Sequence, residues 1–170
     1  MELPPPLFGD ELKKRLTEKI VHVPIIENLL YEHGSLMISS QPGLGKSSLS
    51  LQVALQVSNG VPVFGILPVR TPSKIWYIQM ERSEIESLER LQSMTEETGL
   101  SLDNFVLDAE LQALNFLHGD NAKYIIERGK AIAPKVVFID PLYGLAPGLS
   151  KDEVGSNIAK FFTILKKELN

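Results

Sequence analysis

The chain has 170 residues, which is enough for one domain with a hydrophobic core. Its formal net charge of -4 provides no overall basic surface for sequence-independent nucleic-acid binding. The lack of cysteine excludes disulfides, zinc–thiolate sites and cysteine nucleophiles. Neither a secretory signal nor a stretch as apolar as a membrane helix is present, so we expect a cytoplasmic protein without a membrane partner.

Residues 1–20 predict an extended arm followed by a short helix. Three successive prolines, residues 4–6, favour an extended backbone near the N-terminus. We expect Asp10 to cap the helix, because its side chain accepts hydrogen bonds from first-turn N–H groups. Apolar residues at helical spacing would share one face of this helix: Leu12, Leu16 and Ile20. Residues 21–170 would then form the compact domain.

From residue 35 onward, predicted strands and helices alternate. The predicted strands are 35–40, 74–80, 104–109 and 135–140. The predicted helices are 46–58, 83–98, 121–133 and 152–169. The second of these helices has apolar residues at helical spacing: Ile85, Leu88, Leu91 and Met94. Strands separated by helices need crossover connections, so the sequence predicts an α/β domain with a central parallel sheet.

The turn between the first predicted strand and helix has the composition of a phosphate-binding loop. Its sequence is SQPGLGKS, residues 40–47. Glycines tolerate positive φ and let backbone N–H groups wrap a phosphate at a helix N-terminus. Lys46 would reach the terminal phosphates, and Ser47 would ligate Mg²⁺. The residues expected to contact the nucleotide are Pro42, Gly43, Leu44, Gly45, Lys46, Ser47 and Ser48. Ser40 replaces the usual first glycine, so an ordinary turn with an exposed lysine is the alternative.

Two acidic residues follow predicted strands. Asp140 ends KVVFID, whose residues 136–139 we expect to be buried, and would emerge at the carboxyl edge of the sheet. There it would accept a hydrogen bond from Ser47 or bind Mg²⁺ through water, unless it merely caps a turn before a proline. Glu81 follows IWYIQM and would orient the water that attacks the γ-phosphate. The alternative for Glu81 is a first-turn acid that stabilises the next helix.

Together these segments resemble the RecA-like ATPases, and within them the RepA-type plasmid and phage replicative helicase group. The similarity rests on HVPIIENLLYEHGSLMISSQPGLGKSSLSLQVALQVSNGVPVFG, IWYIQMERSEIESLERL and VVFIDPLYGL. It implies a three-layer P-loop NTPase fold, with Lys46 as the P-loop lysine and Ser47 as the metal-binding hydroxyl. It further implies Glu81 as the catalytic glutamate, Asp140 as the Walker B aspartate, and Arg90 in LERL against the adenine.

The resemblance also implies ligands and partners. These are ATP and Mg²⁺, a hexameric ring with nucleotide between subunits, and single-stranded DNA facing the loop after Asp140. In this fold the next strand lies between the P-loop strand and the Walker B strand, and later strands carry the sensor residues and arginine finger. The chain ends at Asn170, before those elements, so we expect a truncated ATPase core with a gap in its sheet. Each buried backbone group left unpaired there would cost about 1–3 kcal/mol.

Three functions stay open at this stage. The first is the ATPase of a DNA-processing protein, either a replicative helicase or a recombination protein. The second is a nucleotide-binding module without turnover of its own, which the missing strand favours. The third is a small-molecule kinase, which would need an arginine-rich lid. The stretch before the last predicted strand supplies one arginine, Arg128, which disfavours the kinase.

Overall fold

The computed structural model describes residues 6–17, 23–109, 119–145, 161–165 and 167–168. The helices are α1 (Gly9–Thr17), α2 (Lys46–Asn59), α3 (Glu84–Thr98) and α4 (Gly119–Ile132). The strands are β1 (Pro24–Ile26), β2 (Leu30–Tyr31), β3 (Ile75–Gln79), β4 (Phe105–Asp108) and β5 (Val136–Asp140). A 3₁₀ turn, Leu142–Leu145, follows β5. None of the described helices is long and apolar enough to cross a membrane.

The central feature is a parallel sheet of three strands in the order β4-β3-β5. In its register, Ile75 lies opposite Phe105 on one side and Val136 on the other. All five residues of β3 are buried. A strand that is apolar on both faces is typical of a parallel sheet covered by helices, and the predicted parallel α/β arrangement is therefore confirmed.

The alternation of side chains along β3 divides the core into two layers. Ile75 and Tyr77 face one cluster, to which α2 contributes Leu51, Val53, Ala54 and Val57, and α3 contributes Leu91. Trp76 and Ile78 face the other cluster, with Ile125 of α4 and the helical residues Phe161 and Leu165. Successive side chains of a strand point to opposite faces, so one strand supports helices on both sides. The result is a three-layer α/β fold.

The predicted strand at 35–40 is wrong. Residues 34–41 have no regular secondary structure and are exposed. Leu36, Met37 and Ile38 have exposed fractions of 46%, 73% and 40%. An apolar run expresses a local preference at most, whereas a strand also needs a neighbour for its N–H and C=O groups. Among the described strands, none pairs with this segment.

The region before the loop also departs from the prediction. The sequence predicts no strand around Pro24, yet β1 and β2 form a short antiparallel pair. Ile25 and Ile26 of β1 are buried in the core, which explains why so short a pair persists. Helix α1 has no buried residue, and it begins at Gly9, so Asp10 lies in the first turn rather than at the cap. Its carboxylate instead accepts a hydrogen bond from Lys13, 3.0 Å away.

Three smaller predictions need comment. Of the α3 residues at helical spacing, Leu91 is buried, whereas Ile85 is 70% exposed and Leu88 is 49% exposed. Residues 136–139 of β5 are half-buried rather than buried, because among the described strands β5 has a neighbour on one side. Much of the predicted helix 152–169, and Ile20 of the first predicted helix, lie outside the described residues.

Candidate functional site

The loop before α2 presents a helix N-terminus without a side-chain cap. Gly45 precedes the helix with φ 79° and ψ 18°, and no side chain caps the helix N-terminus. Gly43 also has a positive φ of 80°. Other residues adopt this left-handed conformation only at a cost, so both glycines are required by the backbone path. The first-turn N–H groups and the positive end of the helix dipole form a site suited to an anion.

Lys46, the first residue of α2, folds back over this loop. Its ammonium donates hydrogen bonds to the carbonyl of Ser40 at 2.8 Å, the hydroxyl of Ser40 at 3.1 Å and the carbonyl of Gln41 at 2.9 Å. These contacts use the three donors of a lysine. The Lys46 side chain thus spans the loop back to Ser40. Ser40 supplies two of the three acceptors. The first turn of α2 contains no acid that would oppose a phosphate.

Asp140 lies at the carboxyl end of β5, and Tyr77 rather than Ser47 is its hydrogen-bond partner. The Tyr77 hydroxyl donates to Oδ2 of Asp140 at 2.8 Å. Asp140 is 8% exposed, so it does not emerge as fully as the sequence predicts. Burial raises the pKa of the Tyr77 phenol, and the charge of Asp140 raises it further. The phenol therefore stays protonated and serves as a donor.

Glu81 lies beyond the end of β3, at the same edge of the sheet as Asp140. The pairing of Gln79 with Asp140 and the hydrogen bond from Met80 N to the Asp140 carbonyl, 2.8 Å, establish this neighbourhood. The Glu81 side chain is exposed, and Oε2 accepts a hydrogen bond from the Tyr143 hydroxyl at 3.1 Å. Burial, followed by this contact with Glu81, raises the pKa of the Tyr143 phenol.

Helix α3 begins too late for Glu81 to act as its first-turn acid. Ser83 is the N-cap, and the acids of the first turn are Glu84 and Glu86. Ser83 and Glu86 form a capping box, in which each side chain binds the other's backbone N–H. The hydrogen bonds from Ser83 lower the pKa of Glu86. Glu81 therefore lies outside the first turn, where the alternative placed it.

Arg90 of α3 reaches the phosphate-loop helix. Its guanidinium donates to the Ser48 hydroxyl at 3.2 Å. Beneath this contact is a small cavity whose lining includes Ser47, Arg82 and Arg90. The structure thus brings Arg90 to the first turn of α2, so a cationic side chain lies beside the loop.

Ser47 and Asp140 fit a magnesium ion by their chemistry. A hydroxyl and a carboxylate are the hard oxygen donors that Mg²⁺ prefers, and protein Mg²⁺ sites commonly use one or two such ligands together with phosphates and water. In the described part of the chain, no group of three or more His, Cys, Asp or Glu residues forms a metal site.

Three residues of this site are absent from the sequence prediction. Gln79 is 4% exposed, and its side-chain oxygen accepts from the backbone N–H groups of Glu81 and Arg82 at 3.0 Å and 3.4 Å. Tyr77 and Tyr143 each donate to one of the two carboxylates. A polar residue inside the apolar strand β3 is the signal that could have identified Gln79. Tyr143 carries no such signal, because it follows the strand in a turn.

Comparisons with known proteins agree with this geometry. A family model described as an AAA domain matches residues 8–167, which is most of the chain. This match supports a nucleotide-binding ATPase of the P-loop class. A search of curated proteins found no match, and a search of solved structures found none.

Proposed function

The chain belongs to the AAA domain family, and we propose that it binds Mg·ATP at residues 42–48 and hydrolyses it. One observation carries this proposal. Helix α2, whose uncapped N-terminus bears Lys46, packs against the sheet that contains β3. At the carboxyl edge of this sheet, Glu81 follows β3 and Asp140 ends the neighbouring strand β5. Phosphoryl transfer needs positioning and charge stabilisation more than covalent chemistry, and this edge supplies groups for both.

The proposed roles follow the chemistry of each side chain. Lys46 would exchange its loop contacts for the terminal phosphates, and the first-turn N–H groups would bind phosphate oxygens. Ser47 and Asp140 would hold Mg²⁺, which when bound neutralises charge on the β- and γ-phosphates. Glu81 would orient the attacking water and accept its proton. Arg90, beside the Ser48 hydroxyl, would lie against the adenine.

Replacement of Lys46 tests nucleotide binding. We expect Lys46→Ala to weaken ATP binding by about 100-fold, because charge-assisted hydrogen bonds to phosphate are lost. The matched control is Lys123→Ala, whose side chain is 75% exposed on α4. Titration of a fluorescent ATP analogue measures both. Equal affinity for Lys46→Ala and the control would place the nucleotide elsewhere.

Replacement of Glu81 tests turnover separately from binding. We expect Glu81→Gln to leave nucleotide affinity unchanged and to slow phosphate release by about 10²–10⁴-fold, because the general base is lost. Glu84→Gln is the control, since Glu84 is a neighbouring acid in the first turn of α3. Hydrolysis by Glu81→Gln at the rate of the control would contradict the role assigned to Glu81.

At a finer level we assign the ATPase to a cytoplasmic DNA-processing protein that forms a ring. The support is the resemblance to the RepA-type helicases, whose nucleotide lies between subunits. The test is ATPase activity with and without single-stranded DNA, together with light scattering in the presence of ATP. Stimulation by DNA and a nucleotide-dependent increase in mass are the expected results. A monomer whose activity ignores DNA would contradict this assignment and leave ATP hydrolysis intact.

One observation favours a second candidate, a nucleotide-binding module without turnover of its own. The segment that leads into the loop, residues 34–41, forms no strand and is exposed. A loop that is anchored on one side, at α2, can bind phosphate and still lack the preorganisation that hydrolysis needs. ATP binding by the wild type without phosphate release would establish this second function.

A further inference from the structure

The residue that connects the two halves of the candidate site is Tyr77, on the central strand. Its ring is 1% exposed. It stacks between Phe105, with ring centroids 5.9 Å apart, and Phe138, with centroids 5.8 Å apart. Phe138 lies directly opposite Tyr77 in the register of β3 and β5. Cross-strand aromatic contacts of this kind fix the orientation of the ring.

The Tyr77 hydroxyl lies between the sheet edge and the phosphate-loop helix. It is 2.8 Å from Oδ2 of Asp140 and 3.3 Å from the hydroxyl of Ser50. A phenol has one proton, which goes to the carboxylate, so the Ser50 hydroxyl is the donor in the second contact. Ser50 lies on α2 one turn after Lys46 and three residues after Ser47. One phenol therefore joins the strand that carries Asp140 to the helix that carries Ser47.

We propose that Tyr77 is a positioning residue that fixes the Asp140 carboxylate relative to Ser47, so that the two can bind one Mg²⁺. The proposal rests on the proposed function, because it concerns the same metal. A carboxylate that is 8% exposed needs a hydrogen bond, and among the described residues Tyr77 supplies the side-chain donor. That bond engages Oδ2 and restrains the carboxylate, and Oδ1 would then bind the metal or its water.

This role differs from packing in what it affects. Removal of the hydroxyl alone, by Tyr77→Phe, keeps the three stacked rings and the apolar contacts of the first cluster. If Tyr77 served only packing, this variant would therefore keep the wild-type gain in nucleotide affinity from Mg²⁺. A positioning residue would change the contribution of Mg²⁺ to nucleotide affinity, while affinity without metal, which depends on Lys46 and the loop, stays the same.

The experiment is a titration of the full chain with a fluorescent, non-hydrolysable ATP analogue, in EDTA and in excess Mg²⁺. The ratio of the two affinities gives the gain due to the metal. We expect Tyr77→Phe to reduce this gain by about 10-fold, because a charge-assisted hydrogen bond that orients a ligand is lost. We expect its affinity in EDTA to stay within about two-fold of the wild type. Tyr124→Phe, on the half-exposed face of α4, is the control.

Ser50→Ala provides a second variant that does not touch the ring stack. This variant removes the hydrogen bond between Ser50 and the Tyr77 hydroxyl. We expect the gain in nucleotide affinity from Mg²⁺ to fall by about three-fold, because a neutral hydrogen bond is weaker than a charge-assisted one. An unchanged gain in both variants would overturn the proposal. A wild type that binds the analogue but gains nothing from Mg²⁺ would overturn it while nucleotide binding stands. A wild type that binds the analogue under neither condition would overturn the proposed function and this inference together.

Discussion

The two halves of the candidate site are built in different ways. At the sheet edge, Asp140 is buried and Tyr77 is held between two aromatic rings. In the phosphate-binding half, residues 34–45 are exposed, and Lys46 supplies three of the hydrogen bonds that hold the loop. The groups proposed to bind the metal are therefore preorganised by packing. The groups proposed to bind phosphate depend on the start of one helix.

We expect the largest difference in stability when an isoleucine of each region is replaced by alanine. Ile78 is fully buried on β3, whereas Ile38 is 40% exposed before the loop. We expect Ile78→Ala to lower the free energy of unfolding by about 3–4 kcal/mol, because it removes buried methyl groups and leaves a cavity. We expect Ile38→Ala to lower it by less than about 1 kcal/mol. Urea denaturation measures both, and equal losses would show that the two regions are packed alike.

A smaller effect tests whether polar groups also stabilise the sheet edge. Asp108 at the end of β4 is 4% exposed and accepts hydrogen bonds from the Trp76 indole at 3.3 Å and from Arg128. We expect Asp108→Asn to cost about 2 kcal/mol, because it removes the charge that faces a guanidinium exposed in part to water. Asp103→Asn, at an exposed position, is the control. The same denaturation curves decide the result, and equal stability would mean that Asp108 contributes no more than a surface acid.

The N-cap of α3 should contribute less to the free energy of unfolding than Asp108 does. Ser83→Ala removes the side chain that accepts from the Glu86 N–H, and we expect a loss of about 1 kcal/mol. Ser93→Ala, at an exposed site within the same helix, should be neutral or slightly stabilising, because alanine has the higher helix propensity. If the two variants melt at the same temperature, the capping box does not stabilise the fold.

The smallest effect depends on pH. Hydrogen bonds from Ser83 hold the pKa of Glu86 below its ordinary value of 4.5. A lowered folded-state pKa means that the stabilisation is present above the ordinary value and is lost as the pH falls through the folded-state value. We therefore expect Glu86→Gln to be less stable than the wild type at pH 7, and the difference to shrink below pH 4.5. A stability difference between the variant and the wild type that does not change with pH would exclude the lowered pKa of Glu86 as its cause.

Much of the sheet edge was predictable because its signals are local. The apolar runs that became β3 and β5 are short, rich in β-branched residues and followed by acids, and the register places Asp140 beside Gln79. Helix α2 was predictable from the glycines before Lys46. The contact between Tyr77 and Asp140 was not, because it joins residues 63 positions apart and depends on how three strands assemble.

In the segment before the loop, local sequence signals were not enough to predict the structure. The apolar residues of this segment predict a strand, yet residues 34–41 are irregular. Pairing is a property of two segments, and one sequence window reports only one of them. The helices predicted at α1 and α3 do form, but helical spacing alone does not show whether an apolar face packs against a core. Leu16 and Ile85 have helical spacing but meet no core, and they are 73% and 70% exposed.

The single tryptophan gives the molecule an internal optical probe. Trp76 is the second residue of β3, is fully buried, and donates its indole N–H to Asp108. Its emission should be that of an indole shielded from water, and it should shift to longer wavelength only when the sheet itself opens. Fluorescence of the unlabelled protein therefore reports on one of the two regions compared above. A change that nucleotide produces in this signal would mean that binding at the loop is transmitted into the central strand.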